Sequence, residues 1–280
     1  MGTLDGRVAF VTGVARGQGR SHAVRLAEEG ADIIGVDALA DEPTVHYPLS
    51  TQADLDETRR LIEKTGQRAI LTRADIRDLT ALTSAVDEGV QRLGRLDIIV
   101  ANAGIFSMGA VLDLDERTWQ DVIDVNLTGT WHTLKAAVPH IRAGGRGGSV
   151  IITSSGAALM PPPGIGHYNA SKAGVVALAR TLAQEVGLEL IRVNCVNPGN
   201  VDTPMIDNEV TRRLFLPHLE HPTREDAEKP DSTYVAVNVL PVPWVSPGDV
   251  SNVVTFLASD ASEHLTGLVI PVDAGYLIKK

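Results

Sequence analysis

Residues 8–37, VAFVTGVARGQGRSHAVRLAEEGADIIGVD, read as strand, glycine turn, helix and strand in succession. VAFVTG at 8–13 is a short β-rich run, GRSHAVRLAEEGA is compatible with a helix, and ADIIGVD at 31–37 is apolar enough for a strand buried on both faces. This is the size of a βαβ unit, in which a helix carries the chain between two parallel strands. Gly13, Gly17 and Gly19 fall between the strand and the helix, in Thr12-Gly13-Val14-Ala15-Arg16-Gly17-Gln18-Gly19. Glycine lets the backbone approach a ligand closely, and a helix N-terminus offers unpaired amides and a positive dipole end. The turn therefore suits a pyrophosphate. It is not a P-loop, because GxxxxGK[ST] is absent.

The same alternation continues outward. RAILTRADI at 68–76, LDIIVANAG at 96–104, GGSVIITSS at 147–155, IRVNCVNPG at 191–199 and GLVIPVD at 267–273 supply five more candidate strands. Helices are expected near 52–65, over DLTALTSAVDEGVQRLG, across 116–140, from about Tyr168 onward, and at 248–259. The pattern predicts an α/β fold: a three-layer sandwich with a central, mostly parallel seven-stranded sheet covered by helices on both faces. Two stretches interrupt it. An acidic, polar segment at about 38–55 contains Pro43 and Pro48, and 200–245 is polar and broken by prolines. Strands resume after each, so residues 1–280 read as one domain carrying an insertion and a substrate-side lid.

Composition narrows the function classes. With 280 residues, 44% hydrophobic and 21% charged, the chain can bury a large core, which opposes disorder. A formal charge of −10 opposes a broad footprint for nucleic acid or an anionic membrane, and no run of 18 apolar residues suggests a membrane span. No signal segment opens the sequence. One cysteine, Cys195, excludes an intrachain disulfide framework, reads as buried filler, and suits a reducing, cytoplasmic location. The eight histidines are scattered without HExxH, so no metal is expected.

Asp37 ends the second strand, where its carboxylate can accept adenosine ribose hydroxyls and repel a 2′-phosphate, favouring NAD over NADP; a capped turn aspartate is the plainer alternative. Arg16 reads either as a phosphate contact or as a surface ion-pair partner. Asp75 and Ile76, ending the third strand, could bracket an adenine, and Asn102, Ala103 and Gly104, ending the fourth, allow close backbone approach. The cluster richest in chemistry is Ser155, Tyr168 and Lys172. Tyr168 and Lys172 are four apart, so a helix puts both on one face. A neighbouring ammonium favours the phenolate and brings proton transfer into range at neutral pH. Ser155, from the preceding strand end, can orient an alcohol or carbonyl oxygen.

On these residues the chain resembles the classical short-chain dehydrogenase/reductase family, across essentially its whole length. TGVARGQG is similar to the family's TGxxxGxG, ANAG at 101–104 to its NNAG, YNASK at 168–172 to its YxxxK, and NPGNVDTP at 197–204 to its PG segment. The departures are Ala101, which replaces the first Asn of NNAG, and the ending VDAGY, which differs from the common DGG. The resemblance implies a Rossmann-type NAD-binding domain. It implies Tyr168 as acid/base, Lys172 as ligand of the nicotinamide ribose, Ser155 as holder of the substrate oxygen, and Asn126 of DVNLTG in a water-borne proton relay. A helix-interior amide bracing nearby backbone is the alternative for Asn126. Gln18 falls within the cofactor turn, and Pro198, Gly199, Val201 and Thr203 would close over the nicotinamide side. Ser154 is left as support for the strand end.

The first strand-helix-strand stretch and the insertion DALADEPTVHYPLSTQADLDET narrow the resemblance to the carveol-dehydrogenase-like branch, also described as mycofactocin-coupled oxidoreductases. That branch implies retained NAD recycled by an external redox partner; the position and length of the insertion after Asp37 lead us to expect that it covers the adenosine side and slows exchange, and the wider family resemblance implies a homotetramer. The expected substrate is an apolar secondary alcohol or ketone, carveol and carvone among them, met by Phe106, Met108, Met160, Pro161, Pro162, Pro163, His167 and Met205. A broad steroid or xenobiotic ketoreductase with exchangeable NADH, and a non-catalytic nucleotide sensor, are the alternatives.

Overall fold

The computed structural model describes residues 2–280. Seven strands, β1 (Val8–Thr12), β2 (Asp32–Asp37), β3 (Ala69–Arg73), β4 (Ile98–Ala101), β5 (Gly148–Thr153), β6 (Ile191–Pro198) and β7 (Val269–Val272), form one sheet in the order β3-β2-β1-β4-β5-β6-β7. Every pairing is parallel, where a mostly parallel sheet was expected. The chain leaves β1 toward one edge and crosses to β4 on the other side, so the C-terminal ends of β1 and β4 flank a topological switch point. Loops diverge there and leave a crevice for a ligand.

Successive strand residues feed two cores. Ala9, Val11, Ile33 and Ile151 face α1 (Gly17–Glu28), α2 (Gln52–Glu63) and α10 (Pro247–Ala258). Phe10, Ile34, Ile99 and Ile152 face α3 (Leu79–Leu93), α4 (Glu116–Ile123), α5 (Gly129–Gly144) and α6 (Gly166–Val186). Burial on both faces explains why the strands read as continuous apolar runs. Cys195 lies in this core on β6, fully buried, and burial pushes its thiol up to about 12.

Several expected boundaries shift. The helix expected across 116–140 is α4, a π-helical turn at Asp124–Thr128, and α5, which runs on to Gly144. The helix carrying Tyr168 starts two residues earlier, at Gly166. The segment expected at 38–55 ends at Thr51, because Thr51 and Asp54 form a reciprocal capping box that starts α2 inside it. The 200–245 excursion is not irregular throughout: α7 (Glu209–Phe215), α8 (Arg224–Glu228) and α9 (Thr233–Ala236) fold around a small core of Leu216, Ala227 and Tyr234.

Candidate active site

The glycine turn is built by close contact. Gly13 has φ +66, and a Cβ there would stand 2.9 Å from the Ala103 Cα; one on Gly19 would stand 1.9 Å from the Gly13 carbonyl oxygen. Side chains at either position would force β1, α1 and the β4 loop apart. The resulting cleft has a volume of about 180 Å³. Its walls include Gly13, Arg16, Gly17, Gln18 and Gly19 on one side, and Asp75, Ile76, Asn102, Ala103 and Gly104 on the other. Asp37 lines it as well, with one carboxylate oxygen accepting the Ala15 amide at 2.9 Å and the other the Ser50 hydroxyl.

Three of the expected ligands have partners that the sequence did not disclose. Asp75 is clasped by its neighbour Arg77, with guanidinium nitrogens at 2.7 and 3.0 Å from one carboxylate oxygen, and these bonds hold its carboxyl below the usual range against the opposing effect of burial. Asn102 braces the strand ends: its backbone amide donates to the Thr12 hydroxyl at 3.0 Å and its side-chain amide to the Thr12 carbonyl at 3.1 Å. Arg16 donates to the Pro48 carbonyl, so it fastens the insertion instead of forming a surface ion pair.

A second, larger cavity of about 340 Å³ adjoins the first, and Gln18, Asn102, Gly104, Thr203 and Met205 line both. Ser155, Tyr168 and Lys172 meet in its wall. The Lys172 Nζ lies 5.7 Å from the Tyr168 ring centroid and donates to the Thr153 carbonyl at 2.9 Å. Burial, with 4% of the residue exposed, lowers the ammonium to about 8. Burial raises the Tyr168 phenol, and the Ser155 hydroxyl offsets part of that rise. Desolvation therefore sets the direction at Tyr168, where the spacing suggests a lowering by Lys172. Ser154 turns away and donates to the Lys172 carbonyl at 2.8 Å, a supporting role as expected.

Asn126 sits fully buried in the π-helical turn. Its side-chain oxygen accepts the Ile105 amide at 2.8 Å, and its nitrogen donates to the Ile105 carbonyl at 3.0 Å and the Ser171 hydroxyl at 3.2 Å. The bracing alternative thus describes its side chain. A Cβ on Gly104 would still meet Asn126 Oδ1 at 3.2 Å and Lys172 Nζ at 3.4 Å, so the brace stands beside the ammonium. Pro198, Gly199, Val201 and Thr203 line the larger cavity from the end of β6 onward.

The apolar lining is only partly the expected one. Phe106, Pro162, Pro163 and Met205 are present. His167 is instead fully buried, its Nε2 at 2.8 Å from the Ser107 hydroxyl, because one helical step from Tyr168 turns it inward. Met160 and Pro161 are exposed outside the cavity, and Met108 packs behind it on the cluster of Tyr47, Phe106 and Ile165. The 206–245 excursion, expected on this side as a segment, contributes Ile206, Leu214 and Phe215, and Tyr276 of the C-terminal turn was not anticipated. Ile206, Val210 and Leu214, spaced by four, were the sequence signal for this wall, and the run is too short to fix a helix.

Two apposed cavities at the switch point, one flanked by a glycine turn and the other by a Ser, Tyr and Lys cluster, define a nucleotide-dependent oxidoreductase site on a doubly wound sheet. The family profile described as short chain dehydrogenase matches residues 7–213, and the chain belongs to that family. It is 52% identical over 280 residues to (-)-trans-carveol dehydrogenase of Rhodococcus erythropolis, covering 100% of both chains. The crystal structure of carveol dehydrogenase from Mycobacterium avium in complex with NAD matches with a TM-score of 0.97 at 51% identity, covering 100% of both chains. That of a short chain dehydrogenase from Mycobacterium paratuberculosis bound to NAD matches with a TM-score of 0.90 at 45% identity, covering 99% of each.

Proposed function

We infer that the protein is an NAD-dependent oxidoreductase that interconverts an apolar secondary alcohol and its ketone. The observation that carries this is the convergence of Ser155, Tyr168 and Lys172 on an apolar cavity that opens directly onto the glycine-turn cleft. The residues fit the dinucleotide: Gly13 and Gly19 leave no side chain between backbone and cleft, and the Asp37 carboxylate suits two ribose hydroxyls better than a 2′-phosphate. NAD, when bound, supplies the hydride acceptor.

The chain's own residues do the rest. Tyr168 takes the proton from the substrate hydroxyl in oxidation and returns it in reduction, and Ser155 holds the oxygen whose charge changes. Lys172, kept in place by the Thr153 carbonyl, stabilises the phenolate as it forms. Asn126 holds the Ile105 backbone and the Ser171 hydroxyl next to Lys172. Because burial raises the phenol, oxidation speeds up as pH rises and reduction is favoured by lower pH. The cavity walls of Phe106, Ile165, Met205, Ile206 and Phe215 suit a cyclic terpenoid of the carveol class.

The finer part of the reading is a retained cofactor. The stretch 38–51 forms a strap whose Glu42, Tyr47, Leu49 and Ser50 line the cleft. It is tied down by Thr44 to Asp121 at 2.9 Å and by Arg77 to Glu42 at 2.9 Å. A strap so fastened slows exchange and calls for an external partner, such as mycofactocin, to recycle the dinucleotide in place. A homotetramer in the cytoplasm completes the proposal, supported by the partly exposed Trp119 on α4 and Trp131 on α5, which suit helix faces covered by another copy.

The test is anaerobic single-turnover oxidation of a secondary-alcohol panel by the purified protein, with nucleotide analysis after denaturation. Turnover by co-purified NAD without addition is expected. Free exchange on mixing would remove retention, and a near wild-type rate in Tyr168→Phe would remove the acid/base assignment.

A further inference from the structure

The strap does not stop at the cofactor cleft. Val45, Tyr47 and Leu49 reach into an apolar cluster with Phe106, Ile165, Met205 and Tyr168 itself. Tyr47 is 6% exposed, and its hydroxyl oxygen accepts the backbone amide of Phe106 at 3.2 Å, across 59 positions of sequence. The Phe106 ring in turn stands edge-on to the Tyr168 ring, with centroids 5.2 Å apart and planes at 86°. Such pairs have a preferred orientation, so moving one ring moves the other. Tyr47 lines the first cavity and Phe106 the second, which makes this chain of contacts a partition between them. Burial raises the Tyr47 phenol, and the two phenols are close enough that Tyr168 adds to that rise.

We propose that Tyr47 is a positioning residue for the acid/base: the strap fixes the Phe106 backbone, Phe106 orients Tyr168, and the catalytic tyrosine is in register only while the strap is closed. The proposal rests on the reading of Tyr168 as acid/base. It assigns the insertion a second task, since the strap then couples closure over the dinucleotide to the readiness of the proton-transfer group. Nothing in the local sequence of the strap demands this. A cover alone could be made by Leu49 and the ion pairs of Glu42, without a buried hydroxyl pointed at a loop amide on the far side of the cleft.

Tyr47→Phe keeps the ring and removes only the acceptor. The structure leads us to expect a fall of about tenfold in the single-turnover rate, the scale produced by small misplacement of reacting groups. Its pH profile should be displaced from wild type, with dinucleotide content and substrate KM within about twofold. Phe106→Leu keeps the amide and removes the ring contact, and should give the same displacement. In the double variant the effects should not multiply, because both act through one chain of contacts.

An unchanged rate and pH profile in both single variants overturns the proposal, as does full multiplicativity in the double variant. A parallel rise in KM with an unmoved pH profile also overturns it, because that is the signature of altered packing alone. If Tyr47→Phe does not accumulate as folded protein, Phe106→Leu decides alone by its pH profile, because Phe106 also lines the substrate cavity and its KM moves for that reason. Tyr168→Phe separates the two levels: activity in that variant removes the acid/base reading, whereas inactivity there with unaltered Tyr47→Phe removes only the positioning role.

Discussion

Lys172→Met should separate stability from activity in a manner that pH reveals. Lys172 is 4% exposed, and burial holds its ammonium at about 8 against an ordinary 10.5. Below pH 8 the folded and unfolded chains both carry the charge, and the folded state bears the full desolvation cost, about 3 kcal/mol at ~1.4 kcal/mol per pH unit. Between about 8 and 10.5 the unfolded chain binds the proton and the folded chain has released it, so stability from this group rises with pH. Met fills a similar volume and does not titrate. Relative to Lys172→Met, the wild type should therefore gain about 2.5 kcal/mol between pH 7 and pH 10. At pH 7 the gain in the variant is reduced by about 1–3 kcal/mol, because the Thr153 carbonyl loses its donor. Hydride transfer should meanwhile fall by about 10²-fold or more, since the phenolate loses its adjacent cation. Urea denaturation of both proteins at several pH values measures the gap. A stability difference that stays constant from pH 7 to 10 would refute the reasoning, because it would mean that the buried ammonium carries no desolvation cost.

Asp37→Ser should relax the preference for NAD over NADP by about 10²-fold, since one unit charge ~5 Å from another at an effective dielectric of ~20 costs about 3 kcal/mol; relative kcat/KM for the two dinucleotides measures it. Arg224 donates to Asp202 at 2.8 and 2.7 Å and to Asp207 at 2.8 Å, and so ties α8 to both ends of the loop that carries Thr203 and Met205. Arg224→Met should raise substrate KM by about tenfold and speed proteolysis within 206–245, while the global unfolding midpoint changes little. His22 is fully buried against Ser251 at 2.8 Å, with its ring lowered to about 3 by burial. Stability from that group is intact above pH 6.5 and declines as pH falls toward 3, by about 2 kcal/mol at pH 5. In His22→Gln that part of the acid sensitivity should vanish from denaturation curves.

The sheet was legible because its strands are buried on both faces, which writes each as an unbroken apolar run, and because the glycine turn fixes where the first two lie. The proposed catalytic cluster was legible for a local reason: Tyr168 and Lys172 are one helical turn apart. What escaped reading was set by distant contacts. Asp75 could be placed at the end of β3, but its clasp by Arg77 depends on the loop's path. The inward turn of His167 depends on where α6 begins, two residues before Tyr168. Tyr47 lies in a proline-flanked polar stretch, and only folding across the cleft brings it to Phe106. The lid read as irregular because its helices are too short to show a period, although Thr223, Ser232 and Asn208 each cap one.

Strap and lid are separate pieces of chain, yet the cavities beneath them meet at Gln18, Asn102, Gly104, Thr203 and Met205. On the proposed reading the strap keeps the dinucleotide in its cleft while alcohol and ketone exchange through the cavity beside it. This makes catalysis a double displacement. The alcohol enters, its ketone leaves, and the acceptor that restores the dinucleotide must then come through the same doorway, past Phe106, Met205 and Phe215. Alcohol and acceptor would compete for one set of walls, each inhibiting at high concentration. The acceptor, whatever its size outside, must present a reacting end narrow and apolar enough to fill the alcohol's place.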